Sequence, residues 1–129
     1  MNIYIDFQLT SYKQNINLDN LFKRKGQGHR IGDCFRGHLL DYSKWRLDFP
    51  PTPMETIDIE DVAKVFLAEI ESVESKLINY IEETASEVDI YFVLQYHEGE
   101  NFIASLSKES IMCFAKLKAS VSIDDLYLK

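Results

Sequence analysis

Between residues 59 and 83 no proline or glycine interrupts the chain, and apolar residues recur every three or four positions: Ile59, Val62, Phe66, Ile70, Val73, Leu77 and Ile81. That spacing predicts one long amphipathic helix over residues 59–83. Asp58 is placed to cap it, and Glu60 and Asp61 fall in the first turn, where the helix dipole favours negative charge. Glu60, Lys64, Glu71, Glu74 and Ser75 fall on the side away from the apolar stripe. One stripe must be buried against something, and the flanking sequence predicts a sheet.

Ile3, Ile5, Phe7 and Leu9 alternate with polar residues, the period of a strand with one buried face. Asn17 is placed to cap a short helix carrying Leu18, Leu21 and Phe22, which Gly26 and Gly28 end. Residues 30–35 and 43–49 read as a hairpin with Trp45, Leu47 and Phe49 on one face, stopped by Pro50, Pro51 and Pro53. Residues 88–96 form a nearly continuous apolar run, as a central strand does, and residues 102–106 return as its hairpin partner across Gly99. Ser107 caps a second helix, with Ile111, Met112, Phe114, Ala115 and Leu117 expected inward, and a strand over residues 120–128 closes the chain. The expected fold is α+β: a twisted, mostly antiparallel sheet with two main helices packed on one face. The length of 129 residues suits one domain spanning residues 1–129.

The formal net charge of −7 is unevenly distributed. Residues 1–54 carry eight Lys/Arg and five Asp/Glu; residues 55–89 carry eleven Asp/Glu against Lys64 and Lys76; residues 90–129 carry four Lys and five Asp/Glu. The middle segment alone is therefore more negative than the whole. Such a surface repels a phosphate backbone, so nucleic-acid binding is not expected, and it attracts a basic partner. No apolar run is long enough for a membrane span, and residues 1–9 alternate where a signal peptide would be basic and then apolar, so a cytoplasmic location is expected.

Candidate chemistry is sparse. His29, Cys34 and His38 are ligand types for zinc, but a structural site needs four ligands, and no metal or other cofactor is expected. Cys34 and Cys113 are read as free thiols behaving as small hydrophobes. Ser43, Ser105 and Ser107 lack the context of a catalytic nucleophile, and Lys25-Gly26-Gln27-Gly28 is too short for a phosphate loop. No enzymatic role is expected. The basic cluster Lys23, Arg24, Lys25, His29, Arg30 and Arg36 is expected to pair with the acidic helix or to be solvated. An alternative is a small-ligand or anion-binding domain, in which Arg30, Arg36 and Trp45 converge on one pocket.

The acidic helix is followed by Val88-Asp89-Ile90-Tyr91-Phe92, by a helix opening at Leu106-Ser107-Lys108-Glu109-Ser110-Ile111 and by the closing Ile123-Asp124-Asp125-Leu126-Tyr127. This order of features resembles the bacterial family called domain of unknown function 4279. In the first half, His29-Arg30-Ile31-Gly32-Asp33 and Trp45-Arg46-Leu47 stand where that family has a basic-glycine segment and a Trp-bearing strand. The Leu-Gly segment and Pro-Thr pair that the family usually shows between the first strand and the basic segment are missing there. The resemblance implies no catalytic residues. It implies an immunity protein that binds and neutralises a cognate, basic toxin domain of a contact-dependent growth inhibition or polymorphic toxin system. The partner-binding residues expected for that role are Glu60, Asp61, Glu71, Glu74, Glu82 and Glu83, all on the acidic helix.

Overall fold

The computed structural model describes residues 2–49, 52–53 and 57–128. In chain order these form β1 (Asn2–Ser11), α1 (Asp19–Phe22), β2 (Gln27–His29), β3 (Cys34–Phe35), β4 (His38–Leu39), β5 (Ser43–Asp48), β6 (Thr52–Pro53) and β7 (Ile57–Asp58). There follow α2 (Ile59–Glu71), α3 (Glu74–Thr84), β8 (Glu87–His97), β9 (Phe102–Ile103), α4 (Lys108–Lys116) and β10 (Ala119–Leu128). The main sheet has the order β10-β8-β1-β5-β2, with β6 continuing beside β1 where β5 ends. It is antiparallel except for β10, which runs parallel to β8. Pro50 and Pro51, expected to stop β5, lie outside the described residues; Pro53 lies in β6.

Alternation along β1 divides the sheet into two faces. Ile3, Ile5, Phe7 and Leu9 are buried against the helices, beside Val88, Ile90, Phe92 and Leu94 of β8. Phe7 is the hub, with its ring 5.8 Å from Phe22, 5.8 Å from Phe66 and 6.2 Å from Trp45. Phe66 carries the cluster on to Phe49 at 5.0 Å and Phe114 at 6.3 Å. With Phe92 of β8, 6.2 Å from Phe114, one aromatic chain joins α1, α2, α4 and the strands β1, β5 and β8.

Several expectations are corrected. The long helix is two. Ser72 Oγ donates to the Glu69 carbonyl at 2.8 Å, and Val73 leaves the helical region at φ −127°. A serine hydroxyl that engages a backbone carbonyl, followed by a β-branched residue, weakens the helix at that point. The apolar stripe survives the break: Ile59, Phe66, Ile70, Leu77 and Ile81 are all buried. In the first half, the strand beside β5 is Gln27–His29, not residues 30–35; Cys34–Phe35 and His38–Leu39 form a small separate hairpin.

Residues 102–103 do not return along β8. They pair in parallel with Ile57–Asp58, because the start of α4 is tied to the start of α2 and the two short strands lead into those helices. On α4, Phe114 and Leu117 point inward as expected, but the third inward residue is Ser110, while Ile111, Met112 and Ala115 are exposed. Leu117 and Ser110 are the i+3 and i−4 neighbours of Phe114, so the buried stripe runs along these three and Ile111 and Met112 fall to one side of it. Asn17 supports α1 by accepting from the Asp19 amide at 2.8 Å, one residue ahead of the position that a side-chain cap would occupy.

Candidate partner-binding surface

The six acidic residues expected to meet a partner separate into distinct environments. Glu60 is turned inward. Its carboxylate accepts from the Ser107 amide at 3.1 Å, from Ser107 Oγ at 3.0 Å and from Ser110 Oγ at 2.5 Å. Burial works to raise its pKa, but the hydrogen bonds from Ser110 and Ser107 outweigh it and hold the carboxyl below its ordinary range. Glu74 is half-buried, 3.8 Å from Lys116 Nζ. Asp61, Glu71, Glu82 and Glu83 are exposed on α2 and α3. A cleft between α2 and α4, of about 580 Å³, has Glu71, Glu74, Lys64 and Lys116 on its walls and Cys113 within it.

The basic segment meets the acidic helix at one pair: Arg24 Nη2 lies 2.7 Å from Glu69 Oε1, with the guanidinium 4.9 Å from the Phe49 ring centre. Arg30 and Arg36 are exposed, and Arg36 sits over the Phe35 ring at 5.2 Å. Trp45 does not join them. Its side chain is buried between Phe7 and Phe22, and its Nε1 donates to Asp19 Oδ1 at 2.7 Å. That same bond, with a second from the Gly26 amide at 2.9 Å, holds the Asp19 pKa low. Gly26 and Gly28 have a role that the sequence did not reveal. A Cβ on Gly26 would stand 2.2 Å from Trp45 Nε1, and one on Gly28 would stand 1.8 Å from the Lys44 carbonyl oxygen. The glycines let this backbone lie directly on the indole and on β5.

His29, Cys34 and His38 lie on β2, β3 and β4, and among the described residues no group of three or more His, Cys, Asp or Glu is placed to hold a metal ion. Both cysteines are free, Cys34 exposed and Cys113 half-buried, so Cys34 does not act as a buried hydrophobe. No helix among the described residues is long and apolar enough to cross a membrane.

The sheet face away from the helices carries a second acidic surface. Tyr4, Asp6 and Gln8 of β1 stand beside Asp89, Tyr91 and Val93 of β8, and beside Arg46 and Asp48 of β5. Arg46 Nε reaches Asp6 Oδ1 at 3.1 Å, its Nη2 reaches Asp48 Oδ2 at 3.4 Å, and Gln8 Nε2 donates to Asp6 Oδ2 at 3.0 Å. Burial nonetheless keeps the Asp6 pKa above its ordinary value, against the Gln8 bond and the Arg46 charge. Tyr91 is raised by burial and then by the charges of Asp89, Asp124 and Asp6, which marks this end of the face as negative. The alternating sequence of β1 contained this face; the gathering of carboxylates from β1, β8 and β10 did not show until the strands were placed side by side.

A family described as a domain of unknown function, DUF4279, matches residues 10–128. The chain belongs to this family. Nothing among curated proteins or solved structures matches it. The DUF4279 match begins at the end of β1 and runs into β10, so it takes in the helical acids and the β5, β8 and β10 parts of this sheet face, whereas Tyr4, Asp6 and Gln8 precede it.

Proposed function

We propose that this DUF4279 protein is a bacterial immunity protein, which binds a cognate toxin domain and blocks its active site. The observation that carries the reading is the set of exposed carboxylates Asp61, Glu71, Glu82 and Glu83 on two consecutive helices. Internal contacts engage Glu60, Glu69 and Glu74, whereas these four face solvent. Complementary charge raises association rates from about 10⁵–10⁶ to as much as about 10⁸–10⁹ M⁻¹s⁻¹ at low salt, which suits an inhibitor that must capture a toxin before it acts. The partner is then a basic protein domain, and inhibition is by occlusion. An anion pocket built on Arg30, Arg36 and Trp45 has less support, since the tryptophan is spent on the core.

Co-expression with the toxin domain encoded beside this gene tests the reading. The wild-type chain restores growth. A variant with all four carboxylates changed to lysine loses at least tenfold in affinity, with most of the loss in the association rate at low salt. Cells that die despite a folded, expressed wild-type chain would rule the reading out.

A further inference from the structure

The main sheet ends very differently on its two sides. The β2 edge is three residues long and includes Gly28. The β10 edge is ten residues long and, among the described residues, pairs only with β8. A long edge strand presents a row of backbone N–H and C=O groups that another strand can complete. Short length, proline, lysine or a covering helix commonly blunts such an edge. Between Ala119 and Asp124 there is neither proline nor lysine.

The two faces of this edge differ in chemistry. On the helix side, Val121 stands beside Ile90 and Ile123 beside Phe92, yet Val121 is 36% and Ile123 44% exposed. Their inner neighbours are fully buried, so the apolar layer of the sheet continues past the last strand into solvent. Glu109, Cys113 and Lys116 of α4 line the cleft toward α2, which puts Ile111, 54% exposed, on the opposite flank of that helix. On the other side, Ser120, Ser122 and Asp124 stand beside Asp89, Tyr91 and Val93, and the local charge is negative.

We propose that the β10 edge is a strand-addition site for a partner segment that alternates apolar and basic residues. This rests on the immunity reading and names which part of the partner it grips. Backbone hydrogen bonds along β10 hold the added strand. Its apolar residues extend the layer of Val121 and Ile123, and its lysines or arginines meet Asp124 and Asp89 on the other face. A second copy of this chain fits poorly. Its own β10 edge would bring Ser120, Ser122 and Asp124, not lysine or arginine, to the acidic side of the seam.

The test uses the full chain and a synthetic peptide of alternating valine and lysine, with a version carrying glutamate for lysine as control. Hydrogen exchange and titration read the result. The lysine peptide should slow exchange at amides within residues 119–124. Asp124→Lys and Val121→Asp, both at exposed positions, should each weaken binding at least fivefold while leaving the thermal midpoint unchanged. Protection that maps elsewhere, no protection, or equal binding of the glutamate peptide overturns the proposal. So does concentration-dependent protection of these amides without peptide, which would identify a second copy as the occupant. If the wild-type chain neutralises the toxin and both variants do so equally well, the strand site fails and the immunity reading stands. If the wild type does not neutralise, the immunity reading fails and the peptide result still decides the edge.

Discussion

Glu60 and Ser110 are fifty residues apart in sequence and are joined by a 2.5 Å hydrogen bond from Ser110 Oγ to Glu60 Oε1. The bond, with those from Ser107, ties the first turn of α2 to the first turn of α4. One carboxylate thus faces the positive ends of two helices. Removing its charge should loosen α4. Because the Glu60 pKa is lowered from 4.5, its contribution is fully present above that value and is lost as pH falls through the lowered one. Glu60→Gln should therefore cost about 1 kcal/mol at neutral pH, below the usual ~1.5–3 kcal/mol for charged hydrogen bonds because solvent screens a half-buried group. Chemical denaturation at pH 7 and pH 3 checks this; an equal difference at both would contradict it.

Asp6 has the opposite sign. Its folded pKa is raised above 3.8, so the protonated form is favoured in the native state. The stability this supplies is present below 3.8 and is lost as pH rises through the raised value. Asp6→Asn should flatten the fall in stability that the wild type shows as pH rises above 3.8. Denaturant midpoints taken in half-unit pH steps would reveal the change, and parallel curves for the two proteins would count against it.

Gly26→Ala should destabilise by about 2–3 kcal/mol, in the range for overpacking. The new methyl meets Trp45 Nε1 at 2.2 Å, so the indole must move and release Asp19. Trp45 is the one tryptophan, and its fluorescence should shift with the loss of stability. An unshifted spectrum with wild-type stability would refute the account.

Phe66 touches the rings of Phe7, Phe49 and Phe114 and is 2% exposed. Phe66→Ala should cost about 3–5 kcal/mol, a large share of the stability of a domain this size. Phe35 and Leu39, by contrast, are 58% and 77% exposed on the small hairpin. Replacing either with serine should change stability by less than about 0.5 kcal/mol. Thermal midpoints of the three variants test the contrast directly.

Local elements and their buried sides were legible in the amino-acid order. Period-two alternation marked β1, and three-four spacing marked the apolar stripe from Ile59 to Ile81, because both patterns repeat within a few residues. Asp58 and Ser107 were legible as helix caps for the same reason, and both accept the expected amide hydrogen bonds, from Glu60 and Ser110. Tertiary structure alone decided what depends on partners far along the chain. It split the long helix at Ser72 and Val73, where propensity is weak and packing sets the outcome. It sent Phe102–Ile103 to β7 instead of β8, and ran β10 parallel to β8. It withdrew Glu60 and Trp45 from the surface, since a carboxylate or an indole is free only if no distant donor or acceptor claims it. It also gathered Asp6, Asp89 and Asp124 onto one face of the sheet, because register between strands follows from which faces are buried and not from any single strand.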